Sequence, residues 1–369
     1  MNVYCPQCNA QASLSPERWA CACGGAWEPI ERSDFDPALI DIGDYSIWRY
    51  RRLFGLDLEA PLVGLGEGWT PLLPLRLQGR SVLFKLEFLA PTGSFKDRGT
   101  AVMINVLARQ GVTQVADDSS GNSGASVAAY AARAGMRAQV FVPTYASATK
   151  QAQIAAYGAE VRLVPGPRAN AKLAVLEAIR RGVVLASHVY HPAFLIGQQT
   201  LAWELWEQLQ HRAPDWYVVP VGQGVHLLSV WLGFRRLLAA GLIDRLPRLV
   251  AVQASRVAPV YQAFEARLST VPAVPQTLPS VAEGVAIGEP VRGARVLQAV
   301  RESGGSCMAV DDPAILAAQE QLARQGLFVE PTSATVVAAL GAVLQQAGPQ
   351  ETIVVPLTGS GLKGNPLLS

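Results

Sequence analysis

Pro91-Thr92-Gly93-Ser94-Phe95-Lys96-Asp97-Arg98-Gly99 places one lysine on a turn of small residues between an apolar strand and a helix. The strand is read over Ser81 to Phe88, β-branched and aromatic with partial alternation. The helix is read from about Asp97 through Val106 to Arg109, with apolar positions at helical spacing. A lysine attacks or holds a carbonyl only when its amine can shed a proton, and burial together with the positive charge of Arg98 and of backbone amides at the helix start favours that. A lysine beside a turn is by default a solvated surface residue. What sets Lys96 apart is the rest of the chain.

Three further stretches pass from an apolar strand through small residues into a helix or turn. Asp117-Asp118-Ser119-Ser120-Gly121-Asn122-Ser123-Gly124-Ala125-Ser126 lies between a strand over Thr113 to Ala116 and an Ala-rich helix over Ala125 to Ala134. It offers hydroxyls, an amide and free backbone N–H groups at a helix start, a set that holds a carboxylate, although an over-capped helix start reads the same way. Val218-Val219-Pro220-Val221-Gly222-Gln223-Gly224-Val225-His226-Leu227-Leu228 leads into a helix reaching about Leu238. Its glycines let the backbone close on an anion at the helix end, but it lacks the third glycine of a dinucleotide fingerprint. Val354-Val355-Pro356-Leu357-Thr358-Gly359-Ser360-Gly361-Leu362-Lys363-Gly364 ends a strand with hydroxyls on a glycine turn.

In this order the four stretches, with Glu67-Gly68-Trp69-Thr70-Pro71-Leu72 and Glu330-Pro331-Thr332-Ser333-Ala334, resemble the fold-type II pyridoxal-phosphate enzymes, and within them the threonine synthases. The likeness covers nearly the whole chain, and the lysine stretch is its most specific part. The resemblance implies that Lys96 holds the cofactor covalently and shuttles protons, with Phe95 beside the ring. It implies that Asn122 bonds the cofactor's ring hydroxyl, that Gly222, Gln223, Gly224, Val225 and His226 cradle its phosphate, and that Thr358 meets the pyridine nitrogen. Ser120, Gly121, Ser123 and His188 fall on the substrate side. At position 226 the backbone amide, rather than the imidazole, is the expected contact. A hydroxyl at the ring nitrogen does not force protonation, which suits elimination and replacement at the β or γ carbon more than transamination.

One departure concerns the substrate. Threonine synthases commonly carry Asn-Pro-x-Arg before Gly-Gln-Lys-Thr, and the arginine helps bind the phosphate of O-phosphohomoserine. Here the segment reads His191-Pro192-Ala193-Phe194-Leu195-Ile196-Gly197-Gln198-Gln199-Thr200. A phenyl ring cannot replace a guanidinium that grips phosphate bidentately. His188, His191 and Lys150 are the nearest substitute cations by sequence. The leading expectation is a threonine synthase making threonine and phosphate from O-phosphohomoserine and water. A serine/threonine ammonia-lyase or a β-replacement synthase needs no second phosphate site, and an amino-acid binding protein could keep the same fold.

Cys5-Pro6-Gln7-Cys8 and Cys21-Ala22-Cys23 group four thiols two and two, a pattern that suits a tetrahedral structural zinc, with free or disulfide-bonded thiols as the alternatives. Cys307 stands alone near an expected strand and reads as a small core residue. His188 and His191 follow the strand Val183 to Ala186, where open α/β sheets present their clefts, and either could instead be a satisfied structural histidine. Glu330 reads as support for a helix starting near Ser333.

With 369 residues and 50% hydrophobic content, the chain can bury a large core. Its net charge of +2 gives no footprint for nucleic acid or an anionic membrane. No apolar run is long enough to span a bilayer, and a polar cysteine knuckle stands where a signal peptide would need an apolar core, so a cytoplasmic location is expected. The fold class expected is α/β, with two open, mostly parallel sheets covered by helices and a small N-terminal module of four cysteines, zinc-ribbon-like. The expected division is a cysteine module over 1–31, a large cofactor-binding domain over 32–95 and 195–369, and a small mobile substrate-side domain over 96–194. Strands near Val140, Val161 and Val184 belong to the small sheet, and strands near Val250, Met308 and Val354 to the large one. Residues Ser269 to Pro290 read as a long ordered loop near the site. The resemblance further implies a homodimer acting on a small amino acid.

Overall fold

The computed structural model describes residues 1–58, 63–119, 121–144, 146–166, 168–275 and 278–364. Strands β1 (Asn2–Tyr4), β2 (Gln11–Ser13) and β3 (Glu28–Pro29) open the chain. Then come β4 (Leu72–Leu77), β5 (Arg80–Lys85), α1 (Lys96–Arg109), β6 (Gln114–Asp117), α2 (Asn122–Arg133), β7 (Arg137–Pro143), α3 (Ala148–Ala156), β8 (Glu160–Val164), α4 (Arg168–Arg180) and β9 (Val184–Leu185). The remainder is α5 (Pro192–Gln208), β10 (Trp216–Pro220), α6 (Val225–Ala239), β11 (Arg248–Ala254), α7 (Pro259–Glu265), α8 (Gly293–Glu302), β12 (Ser306–Val310), α9 (Asp312–Ala323), α10 (Pro331–Gln346) and β13 (Ile353–Pro356).

Two compact units result: one of Met1–Ile30, Asp36–Trp69 and Ala90–Gln198, the other of Glu31–Phe35, Thr70–Leu89 and the chain from Gln199 on. The first unit contains a four-stranded parallel sheet in the order β8-β7-β6-β9 and the three-stranded antiparallel sheet β2-β1-β3 of the cysteine module. The second contains a six-stranded sheet in the order β12-β11-β10-β13-β5-β4, in which only β4 runs antiparallel to its neighbour. Both sheets are the mostly parallel, helix-covered kind that strand-then-helix alternation predicts.

The sequence-based division put 36–69, 90–95 and 195–198 with the large domain, whereas the structure groups them with the first unit. Buried polar bonds explain the difference. Glu67 accepts from Trp48 Nε1 at 2.8 Å and from the Tyr130 hydroxyl of α2 at 2.8 Å. Asn105 of α1 accepts from Val63 N at 3.0 Å and donates to Val63 O at 2.8 Å.

In the second unit, β10 and β13 are wholly buried apolar runs, as central parallel strands must be when helices cover both faces. Val82, Phe84, Val218, Val252, Leu340 and Val355 share one core. Strands β4 and β5 form a hairpin through Gln78 and Gly79, at φ 49° and 78°, the left-handed pair that a two-residue turn of matching twist requires. β5 stops at Lys85 because Glu87–Leu89 turn into a 3₁₀ helix, three residues short of the strand read from sequence. A polar cluster lies inside this unit. Fully buried Lys85 donates to the fully buried Glu204 carboxylate, to Thr70 O at 2.5 Å and to Gln208 Oε1 at 2.8 Å. The segment after α7, up to α8, holds no helix or strand among its described residues, in line with the ordered loop expected there.

Among the described residues, no helix is long and apolar enough to cross a membrane.

Candidate active site

In the first unit, Lys96 opens α1 because the turn before it is tied to the helix's own acidic residue. Gly93 takes φ 81° and donates to Ala90 O at 2.7 Å, so the chain reverses just ahead of the lysine. Buried Asp97 then accepts from Thr92 N at 2.7 Å, Thr92 Oγ1 at 2.6 Å and Ser126 Oγ of α2 at 2.7 Å. These bonds fix the turn, the first turn of α1 and the first turns of α2 against one another. The carboxylate also sits at a helix N-terminus, where negative charge is favoured.

Lys96 is half-buried, with Nζ 4.6 Å from the Phe95 ring centroid and 5.7 Å from that of Phe194. Phe194 is fully buried and rests on Gly99: a Cβ there would lie 2.6 Å from its ring carbons. At Gly197 a Cβ would meet Arg98 O at 2.2 Å, so the two helices touch backbone to backbone. Position 194 is therefore part of the wall beside the lysine. His188 lies edge-on to Phe194 with ring centroids 5.9 Å apart, which brings it to the same wall. His191 does not supply a cation. It is buried, loss of solvation pushes its pKa down to about 4, and its Nδ1 accepts from Ala193 N at 3.3 Å, which steadies the start of α5.

The Ser-Gly-Asn stretch begins its helix at Asn122, three residues earlier than Ala125, with Gly121 as a cap that puts no side chain over the amides. Ser123 is buried in the first helical turn. Gly124 is obligatory, since a Cβ there would stand 2.0 Å from Ser119 O. Ser120 lies outside the described residues. Lys150 is on α3, whose Gln153 donates to Thr92 O at 3.0 Å and so packs that helix on the lysine turn.

In the second unit, the loop Val221 to Gly224 links β10 to α6. Gly224 caps α6 at φ 85°, and a Cβ there would meet Val296 at 2.3 Å. At Gly222 it would meet Gly284 O at 2.4 Å. Both positions are closed to side chains, so the loop meets any ligand with backbone amides at a helix N-terminus. The Gln223 carboxamide is turned away, accepting from Val291 N at 3.0 Å. The His226 imidazole is likewise engaged, its Nε2 2.6 Å from the Tyr217 hydroxyl.

Thr358 is buried at the end of β13, its Oγ1 3.1 Å from Ser333 Oγ in the first turn of α10. Ser333 Oγ accepts from Gly359 N at 2.9 Å, and Thr332 Oγ1 accepts from Gly284 N at 3.1 Å. The Glu330 to Ala334 stretch thus orients the threonine and the 280s loop. Glu330 precedes α10 but its side chain makes no capping hydrogen bond; its backbone N–H donates to Gly359 O at 3.0 Å instead. Gly284 carried no sequence signal of its own.

Residues 63–359 match the model of the family described as pyridoxal-phosphate dependent enzyme. The chain belongs to the pyridoxal-phosphate dependent enzyme family. It is similar to the threonine synthase of Methanocaldococcus jannaschii, 35% identical over 97% of this chain and 92% of that protein. It is also similar to the threonine synthase of Methanosarcina acetivorans, 35% identical over 98% and 92%. Among solved structures it is similar to a threonine deaminase from T.th., with a TM-score of 0.66 and 26% identity over 79% of this chain and 92% of that one. A maize serine racemase gives a TM-score of 0.66 at 25% identity, over 77% and 84%. The chain is a pyridoxal-phosphate-dependent lyase, and the residues present fit the cofactor. A glycine cradle on a helix N-terminus suits its phosphate, a buried hydroxyl suits its pyridine nitrogen, and an amine between two aromatic faces suits its carbonyl carbon.

The cysteine module brings Cys5, Cys8, Cys21 and Cys23 together, with all four Sγ atoms within 4.8 Å of one another. The pairs Cys5–Cys23 and Cys8–Cys21 are each 3.5 Å apart, far beyond a disulfide bond of about 2.05 Å. Four sulfurs at about 2.3 Å from a tetrahedral zinc stand about 3.8 Å apart, which falls in the observed range. Gly25 closes the second knuckle, where a Cβ would lie 2.8 Å from Cys5 Sγ. Cys307 is buried in β12, and burial pushes its thiol up to about 12, as for an inert core residue.

Proposed function

We propose that the protein catalyses a threonine-synthase reaction, converting O-phosphohomoserine and water to threonine and phosphate. The observation that supports this most is the near-full-length likeness to threonine synthases at 35% identity, together with a lysine turn and glycine loop that keep the family's order. Lys96 would hold the cofactor, with Phe95 and Asn122 along its ring, Gly222, Gln223, Gly224, Val225 and His226 at its phosphate through backbone amides, and Thr358 at its pyridine nitrogen. When bound, pyridoxal phosphate accepts the electron pair released at the substrate's α carbon. Lys96 Nζ takes the α proton and then a β proton. Phosphate leaves the γ carbon, water adds its oxygen at the β carbon, and protons return to the α and γ carbons. Gly121 and Ser123, at the start of α2, would orient the substrate carboxylate, and Ser120 shares that assignment. His188 and Phe194 would shape the side-chain pocket. The same reading takes the enzyme to be cytoplasmic and homodimeric.

A second reading is favoured by Phe194, a buried phenyl ring in the wall beside Lys96 where a substrate phosphate needs a cation, and by His191, whose pKa burial pushes down to about 4. In that case the enzyme eliminates the β-hydroxyl of serine or threonine and releases ammonia. A charge-assisted contact to phosphate is worth roughly 1.5 to 3 kcal/mol, about ten- to a hundredfold in kcat/KM. Under the synthase reading, O-phosphohomoserine is expected to outpace serine and threonine by at least about tenfold, with threonine and phosphate formed in equal amounts. Ammonia and a 2-oxo acid from serine or threonine, with no phosphate released from O-phosphohomoserine, would establish the second reading instead.

We further propose that Cys5, Cys8, Cys21 and Cys23 hold one structural zinc ion. Metal analysis of protein prepared without chelator is expected to give about one zinc per chain, and Cys8→Ser is expected to lose it and to lower the melting temperature. Metal-free wild-type protein of unchanged stability would refute the assignment.

A further inference from the structure

The proposed reaction gives the cysteine module no part beyond holding a metal, yet the module reaches further into the first unit than that task requires. Its own core is small: Val3, Cys5, Cys21 and Trp27, with Leu14 packed against them. Five residues after Leu14, half-buried Trp19 packs against a different core, the cluster of Ala116, Phe141, Val175 and Leu185 in the four-stranded sheet and its helices. The chain between the two is short and held. Arg18 N donates to Ser15 O at 3.1 Å, and just beyond the tryptophan Cys21 N donates to Gly25 O at 2.9 Å.

Trp19 meets Tyr190 edge-on, with ring centroids 5.0 Å apart and planes at 88°. The seam beside this pair, lined by Pro16, Trp19, Leu185, Tyr190, His191 and Pro192, encloses a cavity of only about 10 Å³. That is at the limit for a single water, so the seam is a packing joint and not a ligand site. Tyr190 in turn stands between the two residues of the substrate-side wall, His188 and Phe194. The turn that carries all three is braced from within: Val189 N donates to Ser187 Oγ at 3.2 Å, His191 N to Ser187 O at 2.9 Å and Phe194 N to His191 O at 3.1 Å. His188 and Phe194 have ring centroids 5.9 Å apart, and the Phe194 ring lies 5.7 Å from Lys96 Nζ. Close-packed interiors pass on displacements, so a shift of Tyr190 moves the wall.

We propose that Trp19 is a positioning residue for the reaction: through Tyr190, the cysteine module holds the turn 187–194, and with it His188 and Phe194, in the place that receives the substrate side chain. The proposal rests on the reading in which those two residues shape the pocket. It gives the module a role in substrate binding that is separate from its metal.

Trp19→Ala and Trp19→Phe are compared as holoenzymes, with kcat and KM measured on whichever of O-phosphohomoserine, serine and threonine the wild type turns over. Trp19→Ala is expected to raise KM about three- to tenfold, the range that an edge-to-face aromatic pair supports, with kcat, the visible band and the metal content as in wild type. Trp19→Phe is expected to restore most of the loss. Tyr190→Leu removes the other ring and carries the same test should Trp19→Ala fail to fold. Added to Trp19→Ala it is expected to raise KM no further, as for two residues acting through one contact. Val175→Ala opens the same core from α4, away from the turn, and is expected to lower the melting temperature with KM unchanged. A folded Trp19→Ala or Tyr190→Leu with wild-type KM overturns the role of Trp19, as does a KM rise that Val175→Ala reproduces at equal loss of stability. Phe194→Leu with wild-type KM would instead overturn the pocket reading, which keeps the two failures distinguishable.

Discussion

Lys96→Ala is expected to abolish turnover, with kcat/KM falling by at least about four orders of magnitude, and to remove the visible absorption of the purified protein. The lysine is asked both to hold the cofactor and to carry the protons, and general acid–base work alone contributes about 10² to 10⁴. No loss of folding should accompany the change. Alanine is the best helix former at the first position of α1, and the turn is held by Thr92, Asp97 and Ser126 rather than by the lysine itself. Steady-state kinetics beside a urea unfolding curve check both halves. A variant that keeps substantial turnover would remove Lys96 from the reaction.

Lys85→Met is expected to destabilise the second unit strongly, by about 3 to 5 kcal/mol, because it removes the cation paired with the fully buried Glu204 carboxylate. It also takes a donor from Thr70 O and from Gln208 Oε1. The double change Lys85→Met with Glu204→Leu is expected to recover most of that loss, since an apolar pair of similar volume meets no desolvation cost. The midpoint of urea unfolding measures both at constant slope. A single variant within about 1 kcal/mol of wild type would mean that the pair contributes little to the fold.

The parts of this protein that could be read from its sequence are those set by local rules. An apolar run, then glycines, then a helix announces the loops at Lys96, Gly121, Gly222 and Thr358 wherever they occur. Central strands such as β10 and β13 show as continuous apolar runs because both faces are buried. Strand β4 was missed because Pro74 and Arg76 argue against a strand, and it is indeed the antiparallel edge, where proline is tolerated. What stayed hidden depends on tertiary burial. Nothing local marks Asp117 as a buried acid rather than one of two surface aspartates, or His191 as neutral. The segment 36–69 joins the first unit through Glu67, whose partners Trp48 and Tyr130 lie 19 and 63 positions away. Phe194 was legible as a departure from its family's pattern, but its seat on Gly99 beside Lys96 was not.

The most direct measurement is borohydride reduction of the purified holoenzyme followed by peptide mapping. Reduction is expected to bleach the visible absorption and leave a stable pyridoxyl adduct on the peptide carrying Ser94 to Arg98, at Lys96 and no other lysine. An unmodified Lys96, or an adduct on a different lysine such as Lys85 or Lys363, would contradict the assignment on which the proposed reaction rests.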